Sequence, residues 1–436
     1  MAGGRAAMDL TGLTLRVAAA RPHVLLAAVP GGTEVRLAAE RLLRARDWPQ
    51  AHTPAQADLL FVAGPDLPEL RTPLGRLWRD MPAPRARVHA RTADEVEDAL
   101  NAGRALLGPP AVRPASAAPP VDAGGHREGD HGARERHEGD DQTPGHDGHD
   151  GHGDHGGHGG HGGHGGGQTE MPGGLPMAGQ GADRDGLTLD QLHLPLGPFL
   201  ADWPAGLTVR LVLQGDVVQR VDVDEPARPI DDAAAEAFWV QPWLRAASGE
   251  PVPVGEAVRR RAAAHLDSLG RLLAVAGWPA EAVRARRLRD DLLYGAPGAA
   301  VAPRLERFTR RVGRSRTLAW LTRGIGVVTA QKAREAGVGG PAARAGGDVT
   351  SRYRQWLADI RHDLPRLEDP APLDVAVEDS PRGPWSAEHP PSAALIALLP
   401  RLLEGAELAA ARLVVASLDP DPDELVSRGV VEVARG

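Results

Sequence analysis

Residues 57–64, Ala-Asp-Leu-Leu-Phe-Val-Ala-Gly, decide the fold of the N-terminal region. A short, continuous apolar run that ends at glycine is typical of a strand buried on both faces of a parallel sheet. Residues 22–29, Pro-His-Val-Leu-Leu-Ala-Ala-Val, follow the same pattern and end before a proline. Residues 86–90 predict a third strand.

The segments between these strands have helical spacing of their apolar residues, at 33–46, 67–81 and 93–107. The order strand, helix, strand, helix, strand, helix predicts a small parallel, flavodoxin-like sheet with helices on both faces. We assign residues 1–112 to this α/β domain.

Residues 113–183 differ sharply in composition from what precedes them. The segment opens with proline and alanine, becomes charged, and then consists mainly of glycine and histidine. Such a composition cannot bury a core, so it predicts a disordered linker.

Residues 184–436 form a second predicted domain, mostly α with a small β element. Two alternating runs in 207–224, joined at Gly215, predict a β-hairpin. Helical patterns follow, and Asp348 is a candidate N-cap. The predicted helices cover 255–276, 280–293, 303–322, 348–361 and 392–411.

The overall composition narrows the class of protein. The 436 residues include no cysteine and carry a formal net charge of −8. Nucleic acid is not an expected partner, since binding it requires a basic surface. The N-terminal residues contain no long apolar run, so we expect no signal peptide, and we expect no membrane span because no apolar stretch is long enough. The expected location is cytoplasmic, or peripheral at the inner face of the plasma membrane, with membrane contact only through partner proteins.

The N-terminal region resembles the 20 kDa-type subunit of respiratory complex I, which shares its fold with the [NiFe]-hydrogenase small subunit. The resemblance lies in residues 57–64 and in Met81-Pro82-Ala83-Pro84. In that family, cluster cysteines follow the first strand, where this chain has Gly31, Gly32 and Glu34. Iron–sulfur clusters are normally held by cysteine thiolates. The resemblance therefore implies the fold without a cluster.

The C-terminal region resembles the 49 kDa-type subunit of complex I, which is related to the [NiFe]-hydrogenase large subunit. Three strings carry this resemblance: 196–210, 339–347 and 415–419. Together the two resemblances imply that two neighbouring subunits are fused through the linker.

The same resemblance implies a degenerate quinone site. Trp203 and Pro204 stand where the family has His-Pro, so we do not expect a bound quinone. Acidic residues occupy 419–424, where hydrogenases end in cysteines. The residues of the degenerate site are Gly197, Pro198, Trp203, Pro204, Gly206, Arg210, Gly340, Pro341 and Arg344.

A histidine tract lies within the predicted linker. Seven histidines recur at every third position, and neutral imidazole is a ligand suited to nickel and zinc. The tract is either a nickel- or zinc-binding site or a solvated linker that binds metal incidentally. Its histidines are His146, His149, His152, His155, His158, His161 and His164.

Three further patterns leave alternatives open. Residues 419–424 contain four acids, for which a solvated C-terminal loop is favoured over a cation site. Residues 304–323 contain seven arginines, which fit either a polar helix face or a docking face for an acidic partner. Most of the tryptophans, Trp320 among them, are expected to be core or interface anchors.

Three hypotheses about function follow, and no catalytic residue is predicted. The first is a cofactor-free subunit of a complex I-like or membrane-hydrogenase-like assembly, with a structural or assembly role. The second is a metallochaperone that uses the histidine tract to carry nickel or zinc and docks on such a complex. The third is an oxidoreductase with a non-standard quinone or flavin site. Whether the chain is an enzyme stays open at this point, because the family it resembles is that of NADH-quinone oxidoreductases.

Overall fold

The computed structural model describes residues 20–108, 179–182, 188–228, 237–386 and 388–426. The histidine tract and nearly all of the predicted linker lie outside these residues.

The N-terminal sheet is parallel, with strand order β1-β2-β3. Its strands are Val24–Ala28 (β1), Leu59–Ala63 (β2) and Ala86–Ala90 (β3). Every residue of the central strand β2 is buried. The prediction of a parallel sheet from its continuous apolar run is confirmed.

Helices cover both faces of this sheet. They are Thr33–Ala45 (α1), Arg71–Asp80 (α2) and Val96–Leu107 (α3). Alternate residues of β2 point to opposite faces. Phe61 packs in one core with residues of α1 and α3, whereas Leu60 packs in another with residues of α2.

A second sheet is antiparallel, with strand order β4-β5-β6-β7. Its strands are Gly179–Ala182 (β4), Thr188–Leu196 (β5), Val209–Gln214 (β6) and Val217–Val223 (β7). The predicted hairpin is confirmed, and Gly215 takes a positive φ of 60° in its turn. Strand β4 falls inside the segment predicted as linker, so the end of that prediction is wrong: these residues extend the sheet beside β5.

The rest of the described C-terminal region is helical, as predicted. The helices are Gln241–Ala247 (α4), Val254–Val275 (α5), Pro279–Leu293 (α6), Gly298–Gly313 (α7), Arg316–Thr322 (α8), Ala330–Glu335 (α9), Gly340–Ala345 (α10), Val349–Asp363 (α11), Pro391–Leu403 (α12), Leu408–Leu418 (α13) and Asp423–Val426 (α14). No described helix is both long and apolar enough to cross a membrane.

Local capping explains where the helices start and where two predictions fail. Asp348 caps α11 as predicted, since its side chain accepts a hydrogen bond from the Ser351 amide. The single helix predicted over 303–322 is two helices, because Ser315 caps α8 by accepting from the Leu318 amide at 3.2 Å. The helix predicted over 392–411 also divides, at Gly405, which has a φ of 79°.

The two folded regions belong to one compact unit. Helix α1 faces α5 and α6, and its Leu37 lies in the same buried cluster as Leu266 of α5. We call this contact surface the seam. On the N-terminal side it comprises α1 and residues 30–32, and on the C-terminal side α5, α6 and residues 419–424.

Candidate functional site

The β1–α1 loop, where the resemblance places cluster ligands, is closed by backbone packing. Gly32 is buried, and a Cβ atom added to it would overlap the carbonyl oxygen of Ala63. The next residue, Gly64, with a φ of 116°, also packs against Gly32. Glu34, by contrast, is exposed on the first turn of α1. The loop has no room for a larger side chain at position 32.

Two distant parts of the chain complete this closure. The Gly31 amide donates a 2.7 Å hydrogen bond to Oδ1 of Asp423. Gly206, with a φ of 76°, packs so closely on Pro30 that a Cβ atom would overlap its ring. The structure therefore joins the predicted cluster loop, the predicted quinone-site loop and the C-terminal acids, which the sequence analysis treated separately.

The C-terminal acids do not form a solvated loop, and that prediction is wrong. Asp419, Asp421, Asp423 and Glu424 are only 3%, 6%, 1% and 1% exposed. Their burial is possible because Arg382, itself buried, donates to Asp419 at 2.7 Å. A signal was available in the sequence, since the acids directly follow the strongly apolar helix α13.

Backbone and hydroxyl groups satisfy other members of this cluster. The Ser392 amide donates to Glu424 at 3.0 Å, and the Asp421 amide donates to the Ser392 hydroxyl at 2.9 Å. Ser268 donates from its hydroxyl to Asp419 at 2.6 Å, and Arg271 also pairs with Asp419. The acids are thus hydrogen-bonded structural groups that fix the chain's C-terminal segment in the seam.

Burial changes the protonation of this cluster. It raises the pKa of Asp421 to about 8, although Arg382 opposes the shift and the neighbouring acids reinforce it. Burial also raises the pKa of Glu424. The cluster therefore holds at least one proton near neutral pH, because its carboxylates outnumber the arginines beside them.

A second set of charges crosses the seam between α1 and the helices α5 and α6. Arg36 donates to Asp267 at 2.8 Å, and Arg289 pairs with Glu40 at 2.9 Å. Arg289 also pairs with Asp267. Arg44 extends the row along α1, and it pairs with Asp290. These residues form a continuous ionic network, which we call the seam network: Arg36, Glu40, Arg44, Asp267, Arg271, Arg289 and Asp290.

Glu40 and Asp267 of the seam network stay ionised. Burial would raise the pKa of Glu40, but Arg289 and Arg36 hold it well below its usual range. Burial likewise opposes ionisation of Asp267, and Arg36, Arg271 and Arg289 together lower its pKa well below the ordinary value. The sequence analysis missed this network. Its signal was the series Arg36, Glu40 and Arg44, spaced by four residues on one side of α1.

A partly open cavity of about 100 Å³ lies in the seam beside this network. Trp203 lines it and is buried, and its Nε1 donates to the Leu207 carbonyl at 2.8 Å. The indole has no other polar group, so Trp203 has no donor left for a ligand. Charged and aromatic lining residues include Arg36, Glu40, Trp203, Asp267, Arg271 and Arg286.

The other predicted quinone-site residues divide between two places. Gly197, Pro198, Gly206 and Arg210 border an open groove of about 910 Å³, where Arg210 pairs with Asp224 at 2.8 Å. Pro204 is buried beside Trp203.

Gly340, Pro341 and Arg344 lie elsewhere. Gly340, with a φ of 60°, packs on the backbone of Arg382, and Arg344 pairs with Asp359 at 3.0 Å. Pro341 lines a cavity of about 10 Å³ together with His265, a volume sufficient for a single water molecule.

His265 is a buried residue that the sequence analysis did not single out as functional. Among the described residues, its Nε2 has no hydrogen-bond partner, and Oδ2 of Asp359 is 3.8 Å away. Burial lowers its pKa to about 4, so the imidazole is neutral at physiological pH.

The residues present do not fit the cofactors that members of the resembled families carry. A cluster at the β1–α1 loop would need thiolates and space, whereas the chain has no cysteine and Gly32 is closed in. The C-terminal acids are already bound to arginine, serine and backbone groups. Within the described residues, no group of three or more His, Asp or Glu side chains could hold a metal ion. Metal binding by the histidine tract, His146 to His164, lies outside those residues and stays a prediction.

Comparison with solved structures includes a weak similarity. No family model and no curated protein matches the chain. Among solved structures, a chain of the membrane-bound sulfane sulfur reductase, an archaeal respiratory membrane complex, is similar with 16% identity and a TM-score of 0.40. The alignment covers 54% of this chain and 98% of that one. Similarity at this level supports no inference about function.

Proposed function

We propose that the protein is a structural or assembly component of a complex I-like or membrane-hydrogenase-like assembly and has no redox centre of its own. One observation carries the proposal. The loop at Gly31 and Gly32, where the sequence resemblance puts a cluster, is packed against Ala63 and bonded to Asp423.

The seam network supports a structural role. In this chain, ion pairs join the two regions at a surface where related subunits would transfer electrons. A partly hydrogen-bonded acid cluster and a buried tryptophan complete the contact. The charged side chains, the acids and the tryptophan already bond to other groups of the same chain. Such an arrangement suits a rigid scaffold better than a site that must bind a substrate.

A metallochaperone role is the second candidate, favoured by the seven histidines at every third position in 146–164. Such a tract offers many imidazole ligands without fixed geometry, so we expect weak and unselective binding of nickel or zinc. Deleting residues 124–168 should remove most nickel binding in calorimetry and leave the melting temperature nearly unchanged. A large fall in melting temperature would show that the tract belongs to the folded core.

Chemical analysis of the purified full chain tests the absence of a redox centre. We expect no stoichiometric iron, no acid-labile sulfide, and no saturable quinone reduction from a soluble low-potential donor. The variant Trp203→His should be equally inactive, because restoring a proton-donating side chain does not restore an electron donor. Stoichiometric iron and sulfide, or saturable turnover that is lost on changing residues 196–210, would contradict the proposal.

Crosslinking in the native host tests the assembly role. Crosslinks should join the chain to subunits of a respiratory membrane complex. A chain that crosslinks only to nickel-enzyme maturation proteins would favour the metallochaperone role.

A further inference from the structure

Helices α6, α7 and α11 carry a continuous band of exposed arginines. Helix α7 contacts both α6 and α11, and its apolar residues Leu305 and Phe308 face the core. The short helix α8 continues the band and contacts α11. We call this surface the arginine band, and its exposed members are Arg284, Arg287, Arg304, Arg307, Arg310, Arg311, Arg314, Arg316, Arg323, Arg354 and Arg361.

Few acids neutralise this surface. Glu281 is buried and pairs with Arg284 and Arg311, and Asp291 pairs with Arg304. Glu306 is a third acid on the band. In the part of the chain that the structure describes, only Arg284, Arg304 and Arg311 pair with an acid. The other eight band members have no acidic partner there: Arg287, Arg307, Arg310, Arg314, Arg316, Arg323, Arg354 and Arg361. The band is therefore strongly positive on a chain whose formal net charge is −8.

An apolar edge adjoins the band at α8. Trp320, predicted to be a core or interface anchor, is 79% exposed, so the core alternative is wrong, and the neighbouring Leu321 is 38% exposed. Arg316 lies four residues before Trp320, so helical spacing puts these two residues on one side of α8. Arg323 directly follows the last residue of that helix. A large indole that projects between arginines is costly to leave in water.

We propose that the arginine band and Trp320 bind the surface of a bilayer that contains anionic lipid. Each arginine held near such a surface contributes about 1 kcal/mol. Tryptophan prefers the interface between headgroups and acyl chains, where its ring is apolar and its N–H stays hydrated. Because the rest of the chain is acidic, an anionic membrane would attract this face and repel the others, which fixes the orientation of the protein.

The projecting position of Trp320 favours lipid over other anionic partners. An acidic protein would have to supply a pocket for the indole, and nucleic acid would need a stacking platform within a groove. Insertion between lipid headgroups requires neither. This direct contact goes beyond the proposed assembly role and does not depend on it, since a scaffold could reach the membrane through partners alone.

Vesicle co-sedimentation of the full chain tests the proposal. The probes are vesicles of phosphatidylcholine alone and of phosphatidylcholine mixed with phosphatidylglycerol. We expect binding to the mixed vesicles only, weakened by salt. The triple variant Arg310→Glu, Arg314→Glu, Arg316→Glu should bind at least ~10-fold more weakly, given the contribution of each arginine. The single variant Trp320→Ser should also bind the mixed vesicles more weakly than the wild type. The dependence of binding on salt should stay the same in this variant.

A matched control separates the band from net charge. The triple variant Arg21→Glu, Arg71→Glu, Arg220→Glu makes the same charge change at exposed arginines outside the band, and it should bind nearly as well as the wild type. Circular dichroism spectra and melting curves of all variants are recorded to check that each variant is folded. Absence of binding to anionic vesicles, or equal loss in both triple variants, would overturn the proposal. Band-dependent binding to polyglutamate or single-stranded DNA, but not to vesicles, would overturn it in favour of an acidic protein or nucleic acid.

Discussion

The seam network and the arginine band contain the same residue type in opposite settings. Arg289 of the seam is fully buried and contacts three carboxylates, those of Glu40, Asp267 and Asp290. Arg314 of the band is exposed and has no acidic partner among the described residues. Arginine content therefore says little about role in this chain. Burial and the number of facing carboxylates decide whether an arginine stabilises the fold or remains available to a partner.

The two settings also differ in energy. A buried ion pair costs desolvation, so its net contribution is modest, but removing one member leaves a buried charge without compensation. An exposed charge is hydrated whether or not it has a partner. Substitutions in the seam should therefore affect folding, and substitutions in the band should affect binding.

The largest effect is expected from Asp267→Leu. This change leaves Arg36, Arg271 and Arg289 facing one another without their shared carboxylate. We expect a loss of about 3–5 kcal/mol in the free energy of unfolding, measured by urea denaturation. The exposed acid of the band provides the control, since Glu306→Leu should change stability by no more than about 0.5 kcal/mol. Equal effects of the two substitutions would remove the distinction between seam and band.

The next largest effect tests the closed loop. Gly32→Ala forces a methyl group onto the carbonyl of Ala63 and should cost about 1–3 kcal/mol. Gly75 provides a control in which substitution by alanine should change the free energy of unfolding in the opposite direction. This glycine lies within α2 and has open space around it. Gly75→Ala should stabilise the protein by about 0.5–1 kcal/mol. If Gly32→Ala were tolerated as well as Gly75→Ala, the loop would have room for a larger group.

Asp421 and His265 are buried and lie outside the ion pairs of the seam network. Each should make the stability of the protein depend on pH. The pKa of Asp421 is raised to about 8 in the folded protein, whereas an unfolded aspartate titrates near ~4. The folded state therefore binds the extra proton, and stability falls as pH rises from ~4 to about 8. Asp421→Asn should flatten the fall in melting temperature between these values. An unchanged profile would contradict burial of a protonated carboxyl.

His265 should act in the opposite sense at acid pH. Its pKa is lowered to about 4 in the fold, compared with ~6.5 when unfolded. The unfolded state therefore binds more protons, so stability falls as pH drops from ~6.5 to about 4. His265→Gln should reduce this fall in thermal melts recorded across the same range. The same slope in wild type and variant would show that other groups dominate.

The smallest effect on stability is expected in the band. Arg314→Gln should change the free energy of unfolding by no more than about 0.5 kcal/mol, because the side chain is exposed and has no acidic partner within the described ranges. Stability is measured by urea denaturation, and binding to anionic vesicles is measured on the same variant. We expect the variant to bind anionic vesicles less well than the wild type. A clear loss of stability would mean that the arginine band stabilises the fold.

The sequence predicted the parts of the fold that depend on local pattern. Continuous apolar runs identified the parallel strands, and Gly215 identified the hairpin turn. Helix boundaries were less predictable where one residue interrupts an apolar pattern, as Ser315 does between α7 and α8.

The seam could not be predicted in the same way, because its contacts join residues far apart in the chain. Asp267 and Arg36 are 231 positions apart, and Asp423 and Gly31 are 392 apart. The acids at 419–424 have the composition of a solvated loop, and only the facing Arg382 and Ser392 make their burial possible. Trp320 is the opposite case to these buried acids. Tryptophan is a residue type that favours the core, but its position on α8 leaves this one exposed.

A pair of double-mutant cycles tests most directly the claim that charges hold the seam together. The seam cycle uses Arg36→Gln and Asp267→Asn, whose ion pair is 2.8 Å long and almost fully buried. The surface cycle uses Arg71→Gln and Asp66→Asn, whose ion pair is 2.7 Å long and exposed. Urea denaturation should give a coupling above about 1.5 kcal/mol across the seam, and a much weaker coupling on the surface. A seam coupling no larger than the surface coupling would contradict the claim.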